Sequence, residues 1–261
     1  LVHDGVLHVT AYSYYDASGQ QNKSHFRRPL NLSSAGQVQG PYKLGPSSLP
    51  ARWIAGYMAH VPQEWRSAFG GPALTGLSGV SIVSHASNGP TAAVFDPSNV
   101  GGSNAAKLLV GYPLSNTLAH VYGYTEASTN PYWNRTSEVR GAVFPDGTSS
   151  VLFFGKHGTG SYCYGTGAEC NDPTSSYKGE HGYPYKQQVW AYDANDLVAV
   201  KNGQRSADSV KPYAVWSLDT PFSGGENKIG GAAWDAANRR IFVLALNQDG
   251  SYPIVHVYRV Q

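Results

Sequence analysis

Charge is scarce in this 261-residue chain: only 14% of residues are Asp, Glu, Lys or Arg, and 19 basic residues stand against 17 acidic ones. No block of five like charges occurs, so nothing points to nucleic-acid or membrane-surface electrostatics, and neither partner is expected. No apolar run approaches the length of a membrane-spanning helix, which argues against membrane insertion. Neither a signal peptide nor an initiating Met is present, and Leu1 already opens the approach to a strand, so a processed or truncated N-terminus is expected. The chain has no Gly-x-Ser-x-Gly elbow and no His-Glu-x-x-His, which removes the commonest hydrolase and metalloprotease signatures. Its Gly-Thr-Gly-Ser and Gly-Thr-Gly-Ala stretches lack the strand-to-helix setting of a phosphate loop. Asp193-Ala194-Asn195-Asp196 has the oxygen spacing that begins a calcium loop, yet the Gly and Glu that should follow are missing. A helix cap or Asx turn is the expectation there; calcium is unsupported and no cofactor is expected.

Cysteine is nearly as scarce. Cys163 and Cys170 lie in a Gly/Ser-rich stretch, with no Cys-x-x-Cys pair and no His within three residues, which excludes a short metal site. A local disulfide is the expected reading, with two free thiols as the alternative. A disulfide implies an oxidising compartment, so a secreted, extracellular or periplasmic location is expected. Asn22, Asn31 and Asn134 each begin an Asn-x-Ser/Thr triplet, a pattern frequent by chance.

What is abundant is turn-forming and aromatic: 30 Gly, 16 Pro and 18 Tyr. That composition favours short strands joined by many turns, and it carries a repeat. Arg140-Gly141-Ala142-Val143-Phe144 followed by Ser150-Val151-Leu152-Phe153 aligns without gaps on Gly230-Gly231-Ala232-Ala233-Trp234 followed by Arg240-Ile241-Phe242-Val243. A third copy reads Thr91 to Phe95 and then Lys107 to Val110. Third strands are expected at His120-Val121-Tyr122, Trp190-Ala191-Tyr192 and His256-Val257-Tyr258, and fourth strands at Pro131-Tyr132-Trp133 and Pro212 to Trp216. The fold class that follows is an all-β propeller of four-stranded antiparallel blades, with a meander or β-sandwich as the alternative. About five blades are expected: a first with Val6 to Tyr15, Lys23 to Leu30 and the strand starting at Pro41-Tyr42 but no inner strand, then about 53–84 with a helical turn at Pro62 to Arg66, 90–138, 139–217, and 228 to the end without an outer strand. Residues 1–261 are read as one domain. An upstream segment or a partner chain completing the ring is expected, because both ends of this strand pattern are unmatched.

Successive strands of a blade run antiparallel, so connections between second and third strands share a face with those leading into the next blade. On that face the connection from Lys156 to Lys186 is far beyond hairpin length, as functional loops often are. It holds both Cys and the cluster His157, Tyr162, Tyr164, Tyr177, His181, Tyr183 and Tyr185. Histidine and tyrosine move protons near neutral pH and stack on sugar rings. His157, His181, Tyr164 and Tyr185 are the candidate catalytic residues. His25, Arg27, Arg28, Tyr162 and Tyr183 are the candidate binding residues, with Arg27 and Arg28 suited to a carboxylate or sulfate. The competing reading is a disulfide-pinned lid without chemistry. His120 and His256 are expected to be structural, and Trp65 to belong to the core.

At Ser87-Asn88-Gly89-Pro90, at Leu152 to Gly165 and at Tyr183 to Asp193, the chain resembles a family of uncharacterised exported bacterial proteins, a likeness that carries no catalytic residue. More remotely the architecture is similar to the propeller-fold polysaccharide lyases, which use His, Tyr and Arg on uronic-acid substrates. The resulting expectation is a glycan-directed propeller that binds or cleaves an anionic polysaccharide. The rival is a non-catalytic structural or interaction subunit of an extracellular or cell-surface assembly. Whether the chain is an enzyme stays open.

Overall fold

A computed structural model describes residues 1–33, 37–46, 49–79, 81–103, 106–119, 130–222 and 228–260. Four antiparallel sheets are arranged as a four-bladed β-propeller. The first holds β1 (Val2–His3), β2 (Val6–Thr10), β3 (Lys23–Pro29) and β4 (Gln39–Lys43), and the second holds β5 (Tyr57–His60), β6 (Ala73–Gly76), β7 (Ala92–Phe95) and β8 (Lys107–Val110). In the third, β9 (Glu138–Val143) and β10 (Ser150–Gly158) are followed by a small hairpin of β11 (Cys163–Gly165) and β12 (Gly179–His181). The chain then returns as β13 (Tyr185–Asp193) and β14 (Ala214–Ser217), giving the order β14-β13-β10-β9. The last sheet has three strands, β15 (Lys228–Asp235), β16 (Arg240–Asp249) and β17 (Tyr252–Arg259).

The expected blade count therefore contracts from five to four. Residues 57–76 and 92–110 pair through β6 and β7 into one sheet, so Thr91 to Val110 supplies third and fourth strands, not first and second. The first blade does possess an inner strand, two residues long, turned by Asp4-Gly5 with positive φ at both positions. Pro131-Tyr132-Trp133 is loop, with Trp133 buried against the Trp190 ring. The expected strand at His120 to Tyr122 lies outside the described residues.

The sheets meet face to face through three apolar layers. Leu44, Ile54, Ala73 and Phe95 join the first to the second; Tyr57, Leu74, Phe153 and Trp190 join the second to the third; Phe154, Val189, Ile229 and Val243 join the third to the fourth. This explains the continuous apolar run of β10. Val151 and Phe153 enter one layer while Leu152 and Phe154 face the other, so both faces are covered. Along the axis β9 lies beside β5 and β15. The repeated Gly-Ala pattern permits this approach: a Cβ on Gly141 would fall 2.6 Å from the backbone nitrogen of Ala232.

Candidate functional site

The inner strands β9 and β15 begin at one end of the axis, and a cavity of about 370 Å³ opens there. Glu138 and Arg140 come from β9, Lys156 from β10 and Lys228 from β15. Tyr177, Lys178, Glu180 and His181 come from the long connection, Tyr185 from β13, and Tyr14 from the β2–β3 connection of the first blade. At the other end of the same strands a second cavity of about 530 Å³ is walled by Met58, Phe144 and Trp234.

Glu138 is the electrostatic centre of the first cavity. Its Oε2 accepts from Arg140 Nη2 at 2.9 Å and Nε at 3.1 Å, and Lys156 Nζ lies 3.5 Å from Oε1. Burial works against the charged carboxyl, but Lys156, Arg140 and Lys228 together hold it down at about 2. The same pairing raises the pKa of Arg140, whose Nη1 also donates to Tyr12 Oη at 2.8 Å. Glu180 lies 3.6 Å from Arg135. Four cationic side chains thus face two carboxylates, and Lys178 and Lys228 have no carboxylate within ion-pair distance among the described residues. Lys156 Nζ sits 4.5 Å from the centre of the Tyr185 ring, which adds a cation–π contact to the cavity wall.

Local geometry fixes Glu138. Pairing between β9 and β10 slips by one residue at Phe154/Gly155, and a Cβ on Gly155 would fall 1.6 Å from the Glu138 carbonyl oxygen. Only glycine admits that bulge, which places Glu138 and Lys156 side by side.

The long connection is an ordered flap. Cys163 and Cys170 are bonded, with Cα atoms 5.6 Å apart, and β11 pairs with β12. Its hub is Asp172, buried with four bonds: Oδ1 accepts from Thr174 N at 2.9 Å and Oγ1 at 2.6 Å, while Oδ2 lies 2.8 Å from both His181 Nδ1 and Tyr185 Oη. Burial opposes the ionised form of Asp172, yet the Thr174, His181 and Tyr185 bonds hold its carboxyl below the usual range. His181 Nε2 lies 3.1 Å from the Gly165 carbonyl oxygen and 3.0 Å from that of Tyr177. With oxygen atoms facing both nitrogens, this ring pins the flap and points neither nitrogen into open space. Burial and the Asp172 bond raise the Tyr185 phenol, although an amide donation from Gly182 works the other way.

Of the residues singled out in the sequence, Tyr177, His181 and Tyr185 border this cavity. Tyr162 stands beside it, donating to Glu180 Oε1 at 3.4 Å with Arg135 5.9 Å over its ring. Tyr183 packs edge-on against Tyr185, and Tyr164 projects outward, 65% exposed. His157 is buried between Ser137, 2.8 Å from its Nδ1, and Asn134; burial and then Lys186 push it down to about 4. His25 lies in the layer joining the first two sheets, its Nε2 3.1 Å from Thr75 Oγ1, where burial followed by the charge on His8 pushes it to about 3. Arg27 donates to Gln39 at 2.9 Å and Arg28 to the Asn31 carbonyl at 3.0 Å, both on the first blade and away from the cavity. Asn134 is buried, its side chain bonded to Thr136 and Gly158, so that triplet is structural.

The weaker motifs resolve simply. Asp193 caps the helix Ala194–Lys201, its carboxylate accepting from Asn195 N at 2.9 Å. No group of His, Cys, Asp and Glu suited to a metal ion occurs among the described residues. His256 bonds Gln248 Oε1 at 2.8 Å, and Trp65 packs against the Phe69 and Phe144 rings. No helix among the described residues is long and apolar enough to cross a membrane. The residues missed in the sequence include Glu138, Arg140, Lys156, Lys178, Lys228, Tyr14 and Asp172. Each stands in a different local pattern, and only the bulge at Gly155 marks any of them. No protein-family model matches the chain, and no curated protein or solved structure matches it either.

Proposed function

We propose that this chain is an extracellular glycan-binding propeller that takes an anionic polysaccharide into the cavity at the flap end of its axis. The observation that carries this is the charge of the cavity: Arg140, Lys156, Lys178 and Lys228 against Glu138 and Glu180, with Tyr14, Tyr177 and Tyr185 offering aromatic surface. Fixed cations select a carboxylate, aromatic rings accept the apolar face of a sugar, and the inward-facing carboxylate accepts from hydroxyls. The Cys163–Cys170 disulfide supports an oxidising location. Binding has more support than cleavage. A lyase needs a base with a free lone pair at the sugar C5 proton, and His181 and Tyr185 are both engaged with Asp172.

Calorimetry with an oligogalacturonate and a neutral oligosaccharide of equal length tests this reading. The acidic sugar should bind, binding should weaken as salt is raised, and Lys156→Ala combined with Lys228→Ala should abolish it. Release of an unsaturated product, followed by ultraviolet absorbance, would add lyase activity. Absence of binding to both sugars would favour the interaction-subunit reading, whose own support is the outward-facing Val255 and Val257 of β17.

A further inference from the structure

On β13, Gln187 stands directly across from Lys156 of β10, which is itself across from Glu138 of β9. Side chains in register on neighbouring strands project from the same face, so Gln187 belongs to the row that supplies two charged residues of the cavity. Tyr185, two residues earlier on the same strand, shares that face and lines the cavity as well. Gln187 is 2% exposed, and neither its Oε1 nor its Nε2 has a hydrogen-bond partner among the described residues. A buried carboxamide with both ends unpaired is costly and rare. Its backbone is satisfied, since Leu218 N donates to the Gln187 carbonyl at 2.9 Å. The adjacent Gln188, on the opposite face, donates from Nε2 to the carbonyls of Pro131 and Tyr132 at 3.2 and 3.4 Å. Gln188 Oε1 is unpaired too, so what sets Gln187 apart is that both ends of its amide lack a partner, beside the cavity-lining Lys156 and Tyr185, where Leu or Met would fill the space without the penalty.

We propose that Gln187 is the specificity-determining residue of this cavity, and that it recognises a pair of neighbouring free hydroxyls on a uronic acid whose carboxylate is held by Lys156 and Lys228. The inference rests on the anionic-glycan reading above and narrows it to uronates with a free vicinal diol. A carboxamide presents an acceptor oxygen beside N–H donors, and two adjacent hydroxyls answer with a donor and an acceptor. A sulfate or phosphate offers only acceptors and leaves the amide oxygen unpaired. Gln187 does not itself line the cavity, so contact with the sugar requires the flexible Lys156 stem beside it to move.

The test uses the whole chain, an oligogalacturonate, and the same oligomer with its ring hydroxyls methylated. Gln187→Leu should raise the urea midpoint of the free protein, because an unsatisfied polar group is removed. The same change should weaken binding of the unmodified oligomer at least tenfold and leave binding of the methylated one unchanged. Gln187→Met, closer in shape, should behave alike and covers the case in which the Leu variant fails to fold. Equal affinity of wild type and variants for the unmodified oligomer would overturn the role of Gln187 while leaving the glycan reading in place. Failure of wild type to bind either oligomer would overturn both.

Discussion

Glu138→Gln gives the strongest handle on the electrostatics of the cavity, because it moves fold stability and ligand affinity in opposite directions. The Glu138 carboxyl, one-fifth exposed, titrates at about 2 in the folded chain against an ordinary 4.5. A depressed carboxylate contributes stability that is fully present above its unfolded pKa and is lost as pH falls through the folded value. The shift corresponds to about 3 kcal/mol at neutral pH. Gln in its place should therefore lower the unfolding free energy by about that much at pH 7. The gap between variant and wild type should shrink as pH falls below about 4.5 and close near pH 2. Urea denaturation of both proteins across this range reads the gap directly. Removal of the carboxylate also leaves Arg140, Lys156 and Lys228 unopposed, so the variant should bind an oligogalacturonate more tightly than wild type at low salt. A gap that stays constant with pH, or weaker binding by the variant, would refute the reasoning.

Further outcomes follow from the same geometry. Gly155→Ala places a methyl against the Glu138 carbonyl; it should cost more than about 2 kcal/mol in urea unfolding and weaken acidic-sugar binding by displacing the adjacent Lys156. His157, held neutral down to about 4, refuses a proton that the unfolded chain takes up near 6.5; stability should fall by roughly 3 kcal/mol over that interval, and His157→Gln should remove this part of the acid dependence. Replacing Cys163 and Cys170 with Ser should cost roughly 2–3 kcal/mol by loop-closure entropy. Hydrogen exchange should rise in β11 and β12 and stay unchanged in β10 and β13.

The parts legible in the sequence are those in which one strand carries its own pattern. The matching Gly-Ala segments of β9 and β15, the apolar run of β10, the Cys pair and the Asp193 cap all depend on neighbours close in the chain. The division of the second blade is not legible, because Thr91 to Phe95 carries the same small-then-aromatic pattern as an inner strand, although it serves as a third strand. The two-residue β1 is too short for periodicity, and only its Asp4-Gly5 turn betrays it. The cavity was half legible. A long His/Tyr connection points to the right face, but alternation cannot say which face of β3 meets solvent, and the candidate His25 lies against Thr75 and Phe95. The cations of the cavity come from β9, β10, β15 and the flap, and they meet only once the blades are wound about the axis.

The central claim is that an anionic glycan occupies the cavity at the flap end of the axis, and a crystal structure of the chain with a bound oligogalacturonate tests it most directly. The account predicts a sugar carboxylate between Lys156 and Lys228, a ring against Tyr177 or Tyr185, and a pair of hydroxyls on the Gln187 amide. Density for the sugar at the Trp234 cavity or along β17, or none at a concentration that saturates binding in solution, would contradict it.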